Sequence, residues 1–156
     1  MTFMMQATML IRMRRTSLAE MPCPVARTLD VVGEWWTLLI VRDALLGARR
    51  FEDFRATGIA DNILSARLRR LVDGGVLERV RYQERPDRHE YLLTERGREL
   101  APVVQALRGW GRRWTSGEDR SPAPVHTECG HEAALRYHCP HCDLAVAADE
   151  VRLQER

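Results

Sequence analysis

The stretch that decides the fold is Asp61-Asn62-Ile63-Leu64-Ser65-Ala66-Arg67-Leu68-Arg69-Arg70-Leu71, followed by the segment from Leu77 to Thr94. Its leucines recur at helical spacing and, together with Val72, fall on one face of a short amphipathic helix. Two brief strand-like segments follow, joined by a charged tip that contains Pro86. A short helix and then a hairpin is the order found in a winged helix-turn-helix. There the helix fits the major groove of DNA and the hairpin tip reaches flanking phosphates.

The surrounding segments predict a mostly helical α+β fold. Pro24 suits the first turn of a helix that opens after Cys23, and Gly33 separates it from a second apolar helix that Gly47 can end. A short helix or turn over residues 51–56 precedes Asp61, which is a plausible N-cap for the next helix. The predicted strands are 76–82 and 90–93, with residues 84–88 as the tip.

A long last helix is predicted after Thr94, which can cap it, while Pro102 should bend or restart it. Its apolar residues recur every seven positions, with others between them: Leu100, Leu107 and Trp114, then Val103, Val104 and Trp110. This seam suits a partner helix. We expect Trp35, Trp36, Trp110 and Trp114 to pack in the core and at a dimer interface. The cleft between helices could also admit a small apolar effector.

Composition and charge predict that the 156 residues form four parts. The predicted parts are a flexible arm (1–21), a winged domain (22–115), a linker (116–125) and a metal-binding tail (126–156). Residues 22–116 hold 17 Arg against 13 acidic residues, whereas residues 117–156 hold 4 Arg against 8. This balance suits a polyanion partner for the middle only. No stretch resembles a membrane span or a secretory signal, so a cytoplasmic location is expected.

The chain from Cys23 to Trp114 resembles the HxlR-type transcriptional regulators, relatives of the MarR group. The motifs that carry the resemblance are Cys23-Pro24, the run from Gly33 to Ile40, the run from Arg50 to Phe54, Leu64-x-x-x-Leu68-x-x-Leu71, Gly75-Val76-Leu77 and Tyr91-x-Leu93-Thr94-x-x-Gly97. The resemblance implies a homodimeric winged helix-turn-helix repressor or activator whose terminal helices form the dimer interface. It does not extend to the N-terminal arm or to the cysteine-containing tail.

Three groups of residues are candidates for contact with double-stranded DNA. On the helix that follows Ala60, base edges would be faced by Asn62, Ser65 and Arg69, and phosphates by Arg67 and Arg70. Arg49 and Arg50 lie at the start of the preceding helix, where anions are favoured. The hairpin tip adds Arg85, Arg88 and His89. The alternative is a solvated arginine face for the helix that starts at Asp61 and an ordinary solvated hairpin for the wing.

The tail predicts a structural zinc site. His126 and Cys129, and Cys139 and Cys142, are two ligand pairs that each enclose two residues, which lets a tight turn direct both side chains at one ion. His131, His138 and His141 are rivals for the histidine position. The alternative is a set of unmetallated thiols. Four protein ligands leave no place for water, and the zinc-deaminase signature is absent, so the sequence does not indicate an enzyme.

Cys23 is a second candidate for thiol chemistry. Some relatives of the HxlR type sense oxidants or electrophiles through a cysteine near this Cys-Pro position, and a helix N-terminus can favour the thiolate. The alternative is a structural residue at a helix start. The sequence thus predicts a DNA-binding regulator, with a protein-interaction adaptor as the rival function.

Overall fold

A computed structural model describes residues 17–154 of the protein. The arm predicted over residues 1–21 therefore lies outside the described residues except for its last part. There the backbone N–H of Leu18 donates to a carboxylate oxygen of Asp30 (2.9 Å). The N–H of Met21 donates to the carbonyl of Leu18 (3.1 Å). This end of the arm is thus fixed to the first helix.

The winged core contains six helices and one hairpin within the described residues. They are α1 (Pro24–Val32), α2 (Trp35–Leu45), α3 (Phe51–Arg55), α4 (Asp61–Asp73), β1 (Leu77–Gln83), β2 (Arg88–Leu93), α5 (Glu95–Arg98) and α6 (Ala101–Trp114). The C-terminal segment adds β3 (Tyr137–Cys139), β4 (Leu144–Val146) and a 3-10 turn (Ala148–Glu150). Each sheet is a two-stranded antiparallel hairpin. The mostly helical α+β class and the winged arrangement are confirmed.

The core lies where α2 meets α1, α4, α6 and β2. Its buried side chains are Val32, Ile40, Val41, Phe54, Ile59, Leu64, Leu68, Leu71, Val76 and Leu77. The predicted inner face of α4 is correct, since its three leucines are fully buried. On α1, Val25 is 67% exposed, whereas Ala26 and Val32 are buried.

Two helix starts differ from the prediction. Ala60, not Asp61, is the N-cap of α4. The carboxylate of Asp61 lies in the first turn and pairs with Arg55 (2.9 Å), so it is not placed to cap. Thr94 does act as a cap, but of the one-turn helix α5. The long helix restarts at Ala101 with Pro102 in its first turn, as the proline predicts.

The wing is fixed to the core beside Gly97. The Thr94 hydroxyl donates to the carbonyl of Gly75 (2.7 Å) and accepts the N–H of Gly97 (3.1 Å). Gly97 is buried, and a Cβ there would collide with the carbonyl oxygen of Val76 and a methyl group of Leu93. Only glycine permits this approach of α5 to β2. The strands run slightly beyond the predicted ends, which leaves residues 84–87 as the tip.

Candidate nucleic-acid interface and metal-binding segment

Helix α4 presents a polar face to solvent opposite its buried leucines. Asn62, Ser65 and Arg69 are all exposed, as the helical spacing predicts. The Arg69 guanidinium makes no hydrogen bond or ion pair within residues 17–154. The α3–α4 connection bends at Gly58, whose φ of +79° favours glycine. A guanidinium held on a rigid helix without an internal partner is available to a ligand.

Arg67 and Arg70, predicted as phosphate contacts, are instead used inside the fold. Arg67 pairs with Glu34 at 2.8 Å, and both side chains are about a quarter exposed (23% and 25%). The guanidinium of Arg70 donates to the backbone carbonyl of Asp30. Both arginines lie on the flank of α4 that faces the α1–α2 connection. They hold α4 in place rather than project from it.

At the start of α3, an internal carboxylate accepts backbone N–H groups. Asp53 accepts the backbone N–H groups of Arg50 (2.8 Å) and Arg49 (3.0 Å), and these bonds lower the pKa of Asp53. Two of the N–H groups that a phosphate could have used at this helix start are therefore occupied. Arg50 also pairs with Glu90 (3.3 Å) and lies over the ring of Tyr82 (4.7 Å).

The side chain of Arg49 differs from that of Arg50. It is exposed, and its guanidinium has no ion pair or hydrogen bond in the described part of the chain. Of the two arginines proposed at this helix start, the structure leaves Arg49 available.

The wing carries the remaining predicted contacts. Arg85 and Arg88 are exposed, and neither side chain has an ion pair or hydrogen bond within residues 17–154. His89 is half-buried, with Nδ1 3.0 Å from a guanidinium nitrogen of Arg79.

Sequence reasoning missed two further basic residues of the wing. Arg79 and Arg81 are exposed on β1, and Arg81 pairs with Asp87 (2.7 Å) across the hairpin. Their alternation within a predicted strand is the signal that could have identified them, because alternate residues share one face of a strand.

Helix α6 has a long exposed apolar stripe. Leu100 and Val104 pack against the core. The others are exposed to 42% (Val103), 52% (Leu107), 62% (Trp110) and 64% (Trp114). Trp36 also packs against the core, whereas Trp35 is 80% exposed. The predicted seam therefore exists, and within the protomer most of it contacts solvent.

A cavity of about 360 Å³ lies between α2, α6 and the segment after α6. Leu38, Leu45 and Leu107 supply apolar walls, and Arg108 and Gln105 contribute polar groups. The side-chain oxygen of Gln105 is buried without a hydrogen-bond partner among the described residues. This cavity corresponds to the cleft that the sequence offers to a small effector.

The tail contains two turns of the same geometry. In the first, His126 Nδ1 lies 3.2 Å from Cys129 Sγ. The next residue, Gly130, has a φ of +70°, and its N–H donates to the carbonyl of His126 (2.8 Å).

In the second turn, Asp143 follows Cys142 with a φ of +55°, and its N–H donates to the carbonyl of Cys139 (2.9 Å). Hydrogen bonds from Cys142, its backbone N–H first, lower the pKa of the Cys139 thiol. The predicted ligands thus form two pairs. Within residues 17–154, no three histidine, cysteine or acidic side chains lie together as a metal-binding group.

The linker and the tail each contact α6 through ion pairs. Arg108 and Arg112 lie 3.1 Å and 3.2 Å from the carboxylate of Asp119. They lie 3.5 Å and 3.1 Å from that of Glu132. The pKa of Asp119 is lowered, chiefly by the hydroxyl and the N–H of Ser121 and further by the two guanidinium groups.

Cys23 is the N-cap residue of α1 and is half-buried, with a free thiol. Its predicted place at a helix start is correct.

No helix within residues 17–154 has the length and apolar character needed to span a membrane.

The winged core is similar to that of known proteins. The model of the family described as HxlR-like helix-turn-helix matches residues 31–119. An HTH-type transcriptional regulator of Mycobacterium tuberculosis is 43% identical over 129 residues, which cover 81% of this chain and 82% of the relative. YdeP, an HTH-type transcriptional regulator of Bacillus subtilis, is 36% identical over 68% of this chain and 84% of its own length.

Two solved structures show the same fold. PA1607, named as a transcription factor, has a TM-score of 0.76 and 40% identity over 90% of this chain and all of its own. That match is long enough to include part of the C-terminal segment. The oxidized form of the redox regulator HypR has a TM-score of 0.56 and 36% identity over 61% of this chain and all of its own.

Proposed function

Because the chain belongs to the HxlR-like helix-turn-helix family of DNA-binding transcriptional regulators, which are not enzymes, we propose that it is a homodimeric repressor acting on a pseudo-palindromic operator. The observation that supports this most directly is the exposed face of α4. Its buried leucines fix the helix, while Asn62, Ser65 and Arg69 face outward. Arginine and asparagine at such positions hydrogen-bond guanine and adenine in the major groove.

Phosphate contacts come from the exposed arginines around this helix. Arg49 at the start of α3 and Arg85 and Arg88 on the wing have free guanidinium groups in the described part of the chain. Arg79 and Arg81 add charge along β1. If about six phosphates are neutralised per protomer, the logarithm of the affinity should fall with that of salt with a slope of about −5 per protomer.

A second copy of the chain is the proposed occupant of the α6 stripe. Leu107, Trp110 and Trp114 lie on one face of the helix, each more than half exposed. A two-fold dimer places the two α4 helices on successive major grooves, about 34 Å apart, which matches a pseudo-palindrome.

Regulation would act on the spacing of the two α4 helices. A ligand in the cavity beside α6, or a reaction at Cys23, would alter the packing of the terminal helices and so the affinity for DNA. The similarity to HypR, a redox regulator, supports testing the thiol first.

The decisive experiment is a gel shift with DNA from upstream of the protein's own coding region, at two salt concentrations. We expect a specific complex of two protomers whose affinity falls steeply with salt. The complex with specific DNA should survive competition by a matched random duplex. Selection of bound sequences from random DNA should return an inverted repeat. Binding that is equal for specific and random DNA would reject the operator. It would favour the rival function, a protein-interaction adaptor.

A further inference from the structure

The C-terminal segment lacks the apolar core that would hold it folded. From residue 117 to residue 154 no residue is buried, and only Pro124, Cys139 and Val146 are partly covered as whole residues. Leu135, Tyr137 and Leu144 are each more than half exposed. The segment nevertheless forms two turns and a short hairpin. A segment of this size needs another source of folding energy, which in small domains is often a metal ion.

The two turns repeat one backbone pattern, and that pattern suits a metal. In each, the residue after the second ligand has a positive φ and donates its N–H to the carbonyl of the first ligand. The side chains of each pair are thereby directed to the same side of their turn. His126 and Cys129 are already within 3.2 Å of each other. Two such pairs supply the four ligands of a closed tetrahedral site. No three of these side chains lie together within residues 17–154, so metal binding requires the two turns to approach each other.

We propose that His126, Cys129, Cys139 and Cys142 bind one structural Zn²⁺ ion per protomer. Three thiolates and one imidazole match the ligand preference of zinc and leave no open position for a substrate. Nine residues separate Cys129 from Cys139, so the two ligand pairs belong to separate turns. A bound ion would link these two turns.

The other histidines are less suited to the site. His138 Nε2 lies 2.9 Å from the carboxylate of Asp143, so that ring already has a partner. His131 contributes its backbone carbonyl to the first turn by accepting the N–H of His126 (2.9 Å). His141 lies inside the second turn, between Pro140 and Cys142. His126 alone stands at the first position of a turn that ends in a positive φ.

The test uses the full chain, purified with a reductant, and does not depend on DNA binding. Elemental analysis should give one zinc per protomer. Cobalt in place of zinc should give the strong visible bands of tetrahedral Co²⁺ and a thiolate-to-cobalt charge-transfer band. Cys139→Ser and Cys142→Ser should each weaken metal retention at least about tenfold. Cys23→Ser is the matched control and should keep one equivalent.

A second measurement covers variants that fold poorly. Arg136 lies between the two hairpins and is exposed. Removal of zinc by a chelator should make trypsin cleave after Arg136 at least about tenfold faster while the winged core stays intact. His126→Asn should have the same effect, and His131→Asn should not. The proposal would be overturned if the purified protein held no zinc or if the chelator left the cleavage rate unchanged. It would also be overturned if His131→Asn lost the metal and His126→Asn did not.

Discussion

Arg67 and Arg69 lie two positions apart on α4 and have opposite surroundings. The first is paired with Glu34 and partly covered, and the second is exposed without a partner among residues 17–154. The two residues therefore allow the structural and recognition roles of this helix to be separated.

Arg69→Ala should reduce operator affinity by about 1–3 kcal/mol because a base contact is lost. The melting temperature should not change, since no internal bond is broken. Gel shifts and thermal melts measure the two effects. If DNA affinity is unaffected, α4 does not read bases through this residue.

Arg67→Ala should instead lower stability by about 1–2 kcal/mol, between the values for surface and buried ion pairs. Glu34→Gln should give a similar loss, and the double variant should lose less than the sum. A melt of all three proteins measures the coupling. Additive losses would mean that the pair contributes nothing beyond its separate side chains.

Cys23→Ser tests the sensor hypothesis. If the thiol controls DNA binding, an oxidant such as diamide should release the wild-type protein from its operator but not the variant. The variant retains the three tail cysteines as an internal control. An unchanged response would therefore assign the effect to the tail and reject Cys23 as the sensor.

At the scale of single elements, a few contacts to the backbone set the positions of α5 and α3. Gly97 joins α5 to β1 and β2, and Asp53 fixes the start of α3. Changes at these two contacts should alter the position of the wing or of the helix-turn-helix.

Gly97→Ala should destabilise the protein by about 1–3 kcal/mol, because the methyl group meets a backbone carbonyl that cannot move aside. Chemical denaturation measures the loss. Gly109→Ala is the matched control, since a Cβ there has open space. It should be neutral or slightly stabilising. Equal effects at both positions would show that crowding is not the cause.

Asp53→Asn should lower stability by about 0.5 kcal/mol at pH 7, a small helix-start effect for an exposed residue. The folded pKa of Asp53 lies below its ordinary value of 3.8. The contribution of the carboxylate is therefore complete above pH 3.8 and is lost as the pH falls through the lowered pKa. Melting curves of both proteins should converge at the acid end. A gap that persists there would assign the effect to something other than charge.

For the whole molecule, the α6 stripe is the proposed dimer interface. Leu107→Glu or Trp110→Glu should place a charge in the proposed dimer interface and convert dimers to monomers, which sedimentation can measure. Leu153→Glu is the control, because that residue is fully exposed in the tail. Monomers should bind one half-site weakly. A monomeric wild-type protein, or a dimer that survives both changes, would require another interface.

Much of the fold could be predicted because it depends on local patterns. The leucine spacing of α4, Pro24 and Pro102 in first turns, Thr94 as a cap and the hairpin after Val76 were all readable from residue order. These features follow from helix and strand periodicity and from the geometry of single residues. The exposed face of α4 was predictable for the same reason.

The sequence by itself determined most helices and the hairpin of the winged core and which face of α4 is apolar, because periodicity and backbone preference act over a few residues. Only the tertiary structure decided which arginines remain free. Arg67, Arg70 and Arg50 look like Arg69 in the sequence, yet their partners Glu34, Asp30 and Glu90 come from distant parts of the chain. Ion pairs and hydrogen bonds of this kind depend on packing, so no local pattern could assign them.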